Sequence, residues 1–259
     1  MKRSLMIILI TLFCTVGTFA QLNKIKINPK VIDAGTKAVQ ALTVTDAEIA
    51  TYCQEYINWM DAHNPVCSVT DTDSGMRAVA ERLAKIVEGH EIENGVKLDI
   101  KAYYVIDQNA FACANGSIRI FAGLMEIMSD DEILGVIGHE IGHIINKDSK
   151  DAFKQALLTS ALKDAIGATG GTAAALTDSQ LGELGEALAG AQYSQKQEYA
   201  ADEYGFKFLK KCNRDPKAMA SALRIIQGLY DSSDGGKINA LFSSHPESGK
   251  RAERLDKMK

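Results

Sequence analysis

Residues 129–146 constrain the fold more strongly than any other part of the chain. Ser129 and Glu132 have the spacing of a capping box, and the acidic first turn that follows Ser129 suits the N-terminus of a helix. Apolar residues then recur at helical spacing as far as Asn146, with almost no charge between them: Ile133, Val136, Ile137, Ile141 and Ile144. The sequence therefore predicts a helix that is buried on most of its surface.

Three polar residues interrupt this apolar helix: His139, Glu140 and His143. Two histidines four residues apart lie on one helix face, where both imidazoles can bind a single zinc ion, and Glu140 is placed to reach a metal-bound water. The pattern His-Glu-x-x-His is typical of zinc proteases, although it also occurs by chance on surface helices. Buried polar groups without partners are costly, so the apolar surroundings favour a metal site. We expect the weak helix formers Gly138 and Gly142 to serve close packing.

A catalytic zinc ion needs a third protein ligand and an open position. The best candidate segment is 197–202, where Glu198 and Asp202 again lie four residues apart on a predicted helix. Glu198 can bind zinc, and Asp202 can accept a hydrogen bond from the outer nitrogen of a zinc-bound histidine. The alternative is an exposed acidic edge of a helix without any ligand.

The remaining pattern predicts an α+β fold that is mostly helical. Lys97–Ile106, Asn109–Ala112 and Ser117–Phe121 read as extended segments, with a turn at Asn115-Gly116, and we expect them to form a small antiparallel sheet. Further helices are predicted at 46–62, 71–91, 124–128, 150–166, from 178 onward, 194–211, 216–230 and 246–258.

The first twenty residues have the pattern of a secretory signal peptide: a basic start, a short apolar core and small residues before Gln21. An uncleaved membrane anchor is the alternative, and the bulky Phe13 before Cys14 argues against lipidation. We expect an exported, periplasmic protein without a membrane span after cleavage, and leave peripheral association with the outer membrane open. Residues 21–70 are predicted to form a helical segment that packs on the core, and residues 71–259 the main domain.

Charge and cysteine content add two expectations. The formal net charge is −4, so no basic surface argues for a nucleic-acid partner. Four cysteines remain after residue 20, and an exported location permits disulfides. Cys53 and Cys67 flank a turn-like segment and are the preferred pair, although the sequence alone cannot choose among the pairings.

Four blocks in order make the chain resemble peptidase family M48, over the stretch from about Asn109 to Arg254. The blocks are Asn109-Ala110-Phe111-Ala112 with Gly116, His139-Glu140-x-x-His143, Glu198-x-x-x-Asp202, and Ser244-His245-Pro246 followed by Arg251. The resemblance implies a zincin-like fold with the sheet beside the active-site helix. It also implies a zinc endopeptidase that acts on polypeptides, with exported or misfolded envelope proteins as the expected substrates.

The resemblance assigns roles to the matching positions. His139, His143 and Glu198 would hold one zinc ion, with Glu140 as general base. Asn109, Ala110, Phe111 and Ala112 would form the edge strand that binds substrate. His245 would approach the zinc, either to stabilise the oxyanion or to cap the metal in a latent enzyme.

The chain departs from the family pattern at one place. Cys113-Ala114-Asn115-Gly116 stands where the family commonly has Pro-Gly, which leaves the local shape open, as well as a reactive or metal-binding role for Cys113. A chaperone or assembly factor with little proteolysis is the remaining alternative function.

Overall fold

The computed structural model describes residues 44–89, 97–159, 175–232 and 244–258. These residues are mostly helical, which agrees with the predicted fold class. The elements, in chain order, are α1 (Asp46–His63), α2 (Ser74–Val87), β1 (Asp99–Tyr103), β2 (Ala110–Ala112), β3 (Ser117–Phe121), α3 (Ala122–Ile127), α4 (Asp130–Ile145), α5 (Asp148–Thr159), α6 (Asp178–Ala189), α7 (Gln195–Lys211), α8 (Ala218–Ser232) and α9 (Ser248–Asp256).

The strands form one sheet in the order β1-β3-β2. β2 and β3 make the expected antiparallel hairpin, whose turn is closed by Gly116 at a φ of 92°. However, β1 pairs with β3 in parallel, with Asp99 opposite Ser117. The prediction of an antiparallel sheet is therefore wrong, and the sheet is mixed. The chain reverses direction between β1 and β2 and again between β2 and β3, so β1 and β3 run in the same direction. β3 is the central strand and lies between β1 and β2.

Two apolar clusters build the core, and they meet at strand β2. The larger one surrounds α4 and includes residues of the sheet and of α2, α7, α8 and α9. The smaller one joins α1, α5 and α6 through Tyr56, Phe153 and Leu184, among others. Ala110 belongs to the larger cluster, whereas its neighbour Phe111 packs against the smaller one. The alternating faces of a strand thus let β2 contact both clusters.

A buried arginine connects α1 to the sheet. Arg119 lies on the central strand β3, and its side chain is fully buried. It donates to both carboxylate oxygens of Asp61 in α1, at 2.8 and 2.9 Å, and to Asp99 at 2.9 Å. Two carboxylates with direct hydrogen bonds compensate the buried charge, which alone would be costly. This network holds α1 beside the sheet.

All four described cysteines carry free thiols. The preferred pair Cys53–Cys67 is wrong, because Cys53 lies in the smaller apolar cluster and Cys67 in the larger one. Closeness in sequence does not predict the pairing here, because α1 continues for ten residues beyond Cys53 and separates Cys53 from Cys67.

Several sequence expectations lie outside the described residues. They are the signal peptide at 1–20, residues 21–43 of the N-terminal segment 21–70, and the loop at 167–172. The helix predicted to start at Asp71 begins at Ser74, because the Asp73 side chain accepts the Gly75 and Met76 N–H groups and so caps it. Among the described residues, no helix combines the length and apolar character needed to cross a bilayer.

Candidate active site

Helix α4 carries its polar residues inside a buried apolar segment. The predicted capping box is present: Ser129 Oγ accepts the Glu132 N–H, and Glu132 Oε2 accepts the Ser129 N–H at 2.7 Å. The helix is then buried from Ile133 to Ile144. Because water is excluded along this stretch, the polar side chains of α4 must find partners within the protein.

Two glycines of α4 allow helix α7 to approach it closely. A Cβ atom on Gly142 would lie 2.9 Å from Ala201 Cα, and one on Gly138 would lie 3.0 Å from Gly205 Cα. Both distances are shorter than ordinary carbon contacts, so a larger residue would push the helices apart. The expectation that Gly138 and Gly142 serve close packing is confirmed. As a result, the acidic residues of α7 reach the histidines of α4.

Four side chains from three segments converge on one point: His139, His143, Glu198 and His245. Their potential ligand atoms all lie within 4.8 Å of one another, and all four residues are buried. His139 Nε2 lies 3.0 Å from His143 Nε2 and 3.2 Å from His245 Nδ1. Glu198 Oε1 lies 2.9 Å from His245 Nδ1. The structure thus brings together the predicted ligands, with His245 as a fourth donor.

A carboxylate on α7 lies beside the ring of His139. His139 Nδ1 lies 3.0 Å from Asp202 Oδ1. Arg251 on α9 donates to both oxygens of Asp202, at 2.9 and 2.6 Å, and also forms an ion pair with Glu198. One guanidinium therefore compensates two buried carboxylates and fixes them relative to each other.

A second carboxylate orients the ring of His143 in the same way. His143 Nδ1 lies 3.0 Å from Asp148 Oδ2, and Gln197 Nε2 donates to the other Asp148 oxygen at 3.0 Å. Asp148 reaches this position because Lys147 has a φ of 66°, which turns the chain sharply between α4 and α5. Both histidines thus direct Nδ1 to a carboxylate and Nε2 to the common point.

The surroundings shift the pKa values of these groups in different directions. Burial lowers the pKa of His139. Burial also opposes a charge on His143, but its hydrogen bonds with Asp148 and Glu198 prevail and raise its pKa to about 9. Burial disfavours ionised Glu198 as well, yet His245, His143 and Arg251 hold its pKa well below the ordinary range. A metal that binds here must displace a proton from His143, because a metal ligand is neutral imidazole.

His245 lies between the ligand cluster and Glu140. Its Nδ1 faces Glu198, while its Nε2 lies 3.7 Å from Glu140 Oε1. Its backbone carbonyl accepts a hydrogen bond from Arg251 Nη1 at 3.4 Å. Tyr193 stacks on His143 with ring centroids 4.0 Å apart, and its N–H donates to the Ser244 carbonyl. These contacts hold the 244–245 segment over the site.

The donor set suits zinc. Imidazole nitrogens and a carboxylate oxygen are the ligand types that zinc binds in proteins, and the atoms converge as a single ion requires. Glu140 Oε1 is buried and has no hydrogen-bond partner among the described residues. An unpartnered buried oxygen is costly unless a water or a bound group satisfies it. The residues present therefore fit a zinc ion with a base beside it.

A cleft of about 490 Å³ opens beside Glu140 and His245. Residues 109–112 line one side, and helices α1, α5 and α6 line the other. β2 pairs with β3 along one edge and with no other described strand along its second edge. The cleft walls carry the aromatic residues Tyr56, Trp59, Phe111 and Phe153. This arrangement offers backbone hydrogen-bonding groups and apolar surface side by side.

Three residues of the site were not predicted from the sequence: Asp148, Tyr193 and Gln197. A polar residue directly after the apolar helix was the only local signal for Asp148, and many helices end that way. Tyr193 lies just before α7, and Gln197 is in its first turn, where it forms a capping box with Ser194. Arg251 was recognised only as part of a family block and not as the partner of Asp202.

Comparison with known proteins agrees with this geometry. The family described as Peptidase family M48 matches residues 77–259. Metalloprotease YcaL of Escherichia coli (strain K12) is 36% identical over 226 residues, which cover 86% of this chain and 85% of the relative. Metalloprotease LoiP of the same strain is 35% identical over the same shares of each chain. A protease HtpX homolog of Methanopyrus kandleri is 29% identical over 58% of this chain and 56% of the relative. The chain belongs to peptidase family M48.

Proposed function

We propose that this protein is a zinc-dependent endopeptidase that hydrolyses peptide bonds of exported or misfolded envelope proteins. The observation that carries the proposal is the convergence of His139, His143 and Glu198 beside the unpartnered oxygen of Glu140. Family membership supports the same reaction, and both Escherichia coli relatives are named metalloproteases.

In this proposal His139, His143 and Glu198 hold one zinc ion per chain. Zinc in such a site supplies Lewis-acid polarisation of the scissile carbonyl and makes water nucleophilic near neutral pH. Asp202 and Asp148 keep each imidazole in the tautomer that leaves Nε2 free for the metal. The close approach of α4 and α7 fixes the distance between the histidines and Glu198.

Glu140 acts as the general base. Its Oε1 atom is buried beside the ligand cluster and lines the cleft, so it can accept a proton from the attacking water. The same carboxyl group then gives that proton to the leaving amine. General acid–base catalysis of this kind contributes about 10²- to 10⁴-fold to a rate.

The substrate chain binds along β2 in an extended conformation. The open edge of β2 at residues 109–112 can pair with a peptide as an additional strand, and main-chain hydrogen bonds then give affinity without strict sequence preference. The aromatic side chains of the opposite wall favour substrates with large apolar side chains next to the cleaved bond. Unfolded proteins expose such segments, whereas folded proteins bury them.

His245 supports a second candidate state, a latent protease. Its Nδ1 lies 3.2 Å from His139 Nε2 and 2.9 Å from Glu198 Oε1, where it can act as a fourth ligand. Closed sites with four protein ligands are typical of structural zinc, whereas catalytic sites keep one position open. In this state His245 must leave before substrate binds. In the alternative, His245 remains beside the zinc and stabilises the oxyanion.

Replacement of His245 by alanine separates these two roles. If His245 caps the metal, the His245→Ala variant cleaves unfolded casein faster than the wild type. If His245 stabilises the oxyanion, the variant loses about 10²- to 10³-fold in kcat while its zinc content is unchanged. An unchanged rate would argue against both roles.

The decisive experiment for the protease is a comparison of Glu140→Gln with the wild type. Zinc content is measured by elemental analysis, and cleavage of unfolded casein by gel electrophoresis and mass spectrometry. We expect equal zinc content and about a 10²- to 10⁴-fold lower cleavage rate in the variant. The exposed Glu253 on α9 offers the matched control Glu253→Gln, which should keep full activity. Full activity of Glu140→Gln would contradict the proposed mechanism.

The chaperone or assembly-factor alternative has its own outcome in the same experiment. It requires that the wild type does not cleave casein, and that Glu140→Gln recovers a stable envelope-protein partner in a pulldown. Since the three proposed ligands converge beside Glu140, the protease is the better-supported function.

We also propose that the protein is exported to the periplasm. The support is the signal-peptide pattern of residues 1–20, with 21–70 as an added helical segment and 71–259 as the peptidase domain. Edman sequencing or mass spectrometry of the mature protein tests the cleavage before Gln21, and an intact N-terminus would contradict it.

A further inference from the structure

Two buried cysteines meet where α1 passes the turn between β2 and β3. The Cys53 side chain interacts with the Cys113 thiol and raises its pKa, and the two residues are 0% and 3% exposed. The neighbouring residues are also in contact, since Asn115 Nδ2 donates to Gln54 Oε1 at 3.2 Å. The hydrogen bond between the neighbouring residues and the shared apolar cluster bring the two cysteines together, and close approach of the two residues is the geometric requirement for a disulfide.

The surrounding structure holds both cysteines in place. Cys113 N–H donates to the Ser117 carbonyl at 2.8 Å, and the Cys113 carbonyl accepts the Gly116 N–H at 3.0 Å, so the hairpin turn fixes this residue. Cys53 lies within α1, and both cysteines belong to the smaller apolar cluster. By contrast, Cys67 belongs to the larger cluster and Cys212 packs against it. The contacts thus single out one pair among the four described cysteines.

We propose that Cys53 and Cys113 form a disulfide bond that ties helix α1 to the end of the substrate-binding strand β2. Tyr56, one turn after Cys53, lines one wall of the cleft, and Cys113 itself follows the wall residue Ala112. The bond fixes the distance between these walls. It also crosslinks a loop of about 60 residues, which strongly reduces the conformational freedom of the unfolded chain.

Formation of the bond requires a two-electron oxidant. A second disulfide, either in a thiol oxidase of the exported compartment or in oxidised glutathione, is that oxidant. One cysteine thiolate attacks the oxidant disulfide and releases one thiol. The other cysteine thiolate then displaces the second thiol, so the protein loses two electrons and two protons, and the oxidant disulfide is reduced to two thiols. The hydrogen bond with Cys53 and burial raise the pKa of the Cys113 thiol, which makes it unreactive in the folded protein. Oxidation therefore takes place while the chain folds, before α1 covers the turn.

The test is a disulfide map of the purified chain. The protein is refolded from denaturant with oxidised glutathione in excess over reduced glutathione, denatured again, alkylated and digested. We expect alkylation of Cys67 and Cys212 only, and a linked pair of peptides that contain Cys53 and Cys113. Alkylation of all four cysteines, or a bridge in any other pairing, overturns the proposal.

A variant with only the proposed pair measures the effect of the bond. In Cys67→Ser/Cys212→Ser, the oxidised chain should melt roughly 10 °C above the same chain treated with a reductant. The control Cys53→Ala should melt at the same temperature with and without reductant. If the oxidised and reduced chains of the double variant melt together, the proposal fails. Neither measurement depends on proteolytic activity, so failure of the disulfide proposal can be distinguished from failure of the proposed function.

Discussion

The packing of α4 against α7 can be tested by glycine-to-alanine substitution. The same substitution should affect stability differently at a glycine in this interface and at an exposed helical glycine. In Gly142→Ala the new Cβ would lie 2.9 Å from Ala201 Cα and 3.1 Å from Tyr204 Cβ. Ordinary contacts begin near 3.4 Å, so α7 must move by about half an ångström. The matched control is Gly228→Ala on α8, where the glycine is exposed and a Cβ would contact nothing within 4 Å.

Alanine gains about 1 kcal/mol over glycine in a helix interior, and this gain applies to both variants. Overpacking of a well-packed interface costs about 1–3 kcal/mol, and only Gly142→Ala has this cost. The control should therefore be stabilised by up to about 1 kcal/mol, while Gly142→Ala should be unchanged or destabilised by up to about 2 kcal/mol. Urea denaturation of the metal-free proteins measures the difference.

Movement of α7 also displaces Glu198 relative to the two histidines. Metal ligands must hold distances within about 0.2 Å, so a shift of half an ångström should weaken zinc binding by roughly 10- to 100-fold. Competition with a chromogenic chelator measures the affinity of each variant. If Gly142→Ala is as stable as the control and binds zinc as tightly as the wild type, the close contact between the helices does not position the ligands, and the reasoning is refuted.

Other predictions follow from the residues around the ligands. Arg251→Met should lower the free energy of unfolding by about 3–5 kcal/mol, because it leaves the buried Asp202 carboxylate without its guanidinium. The control Arg224→Met, at an exposed ion pair, should lower it by less than about 1 kcal/mol. Urea denaturation measures both values, and equal losses would be evidence against the buried network. Asp148→Asn should weaken zinc binding by roughly 10- to 100-fold in a chelator competition, and wild-type affinity would exclude an orienting role. The pKa of His143 is raised to about 9, so the metal-free protein holds a proton there below that pH. Zinc affinity should therefore fall about tenfold for each pH unit below 9, and a flat profile from pH 6 to 9 would contradict this protonation.

The sequence predicts the elements that carry the site well, because their signals are local. The capping box of Ser129 and Glu132, the apolar spacing of α4 and the Asn115-Gly116 turn each lie within one segment, and each is found where expected. The convergence of the two histidines with Glu198 follows from the spacing of residues on two helices, once those helices are assumed to pack together.

The order of the strands cannot be read from such local patterns. The sequence of β1 is compatible with pairing to β2 or to β3. The tertiary position of the β2–β3 hairpin determines which of the two strands β1 contacts. The cysteine pairing fails for the same reason, since Cys53 contacts a residue about 60 positions away rather than the nearby Cys67. The position of Asp148 beside His143 likewise cannot be predicted from the sequence, because it depends on the sharp turn at Lys147.

The contacts of Arg251 with the two sides of the site differ in strength. Its bonds to Asp202 are short, charge-assisted and buried, at 2.6 and 2.9 Å. Its contacts with the carbonyls of His245 and Pro246 are long, at 3.4 and 3.5 Å, and involve neutral acceptors. Loss of the second set costs far less than loss of the first. Departure of the segment that carries His245, which the proposed latent state requires, would therefore leave the bonds between Arg251 and Asp202 intact.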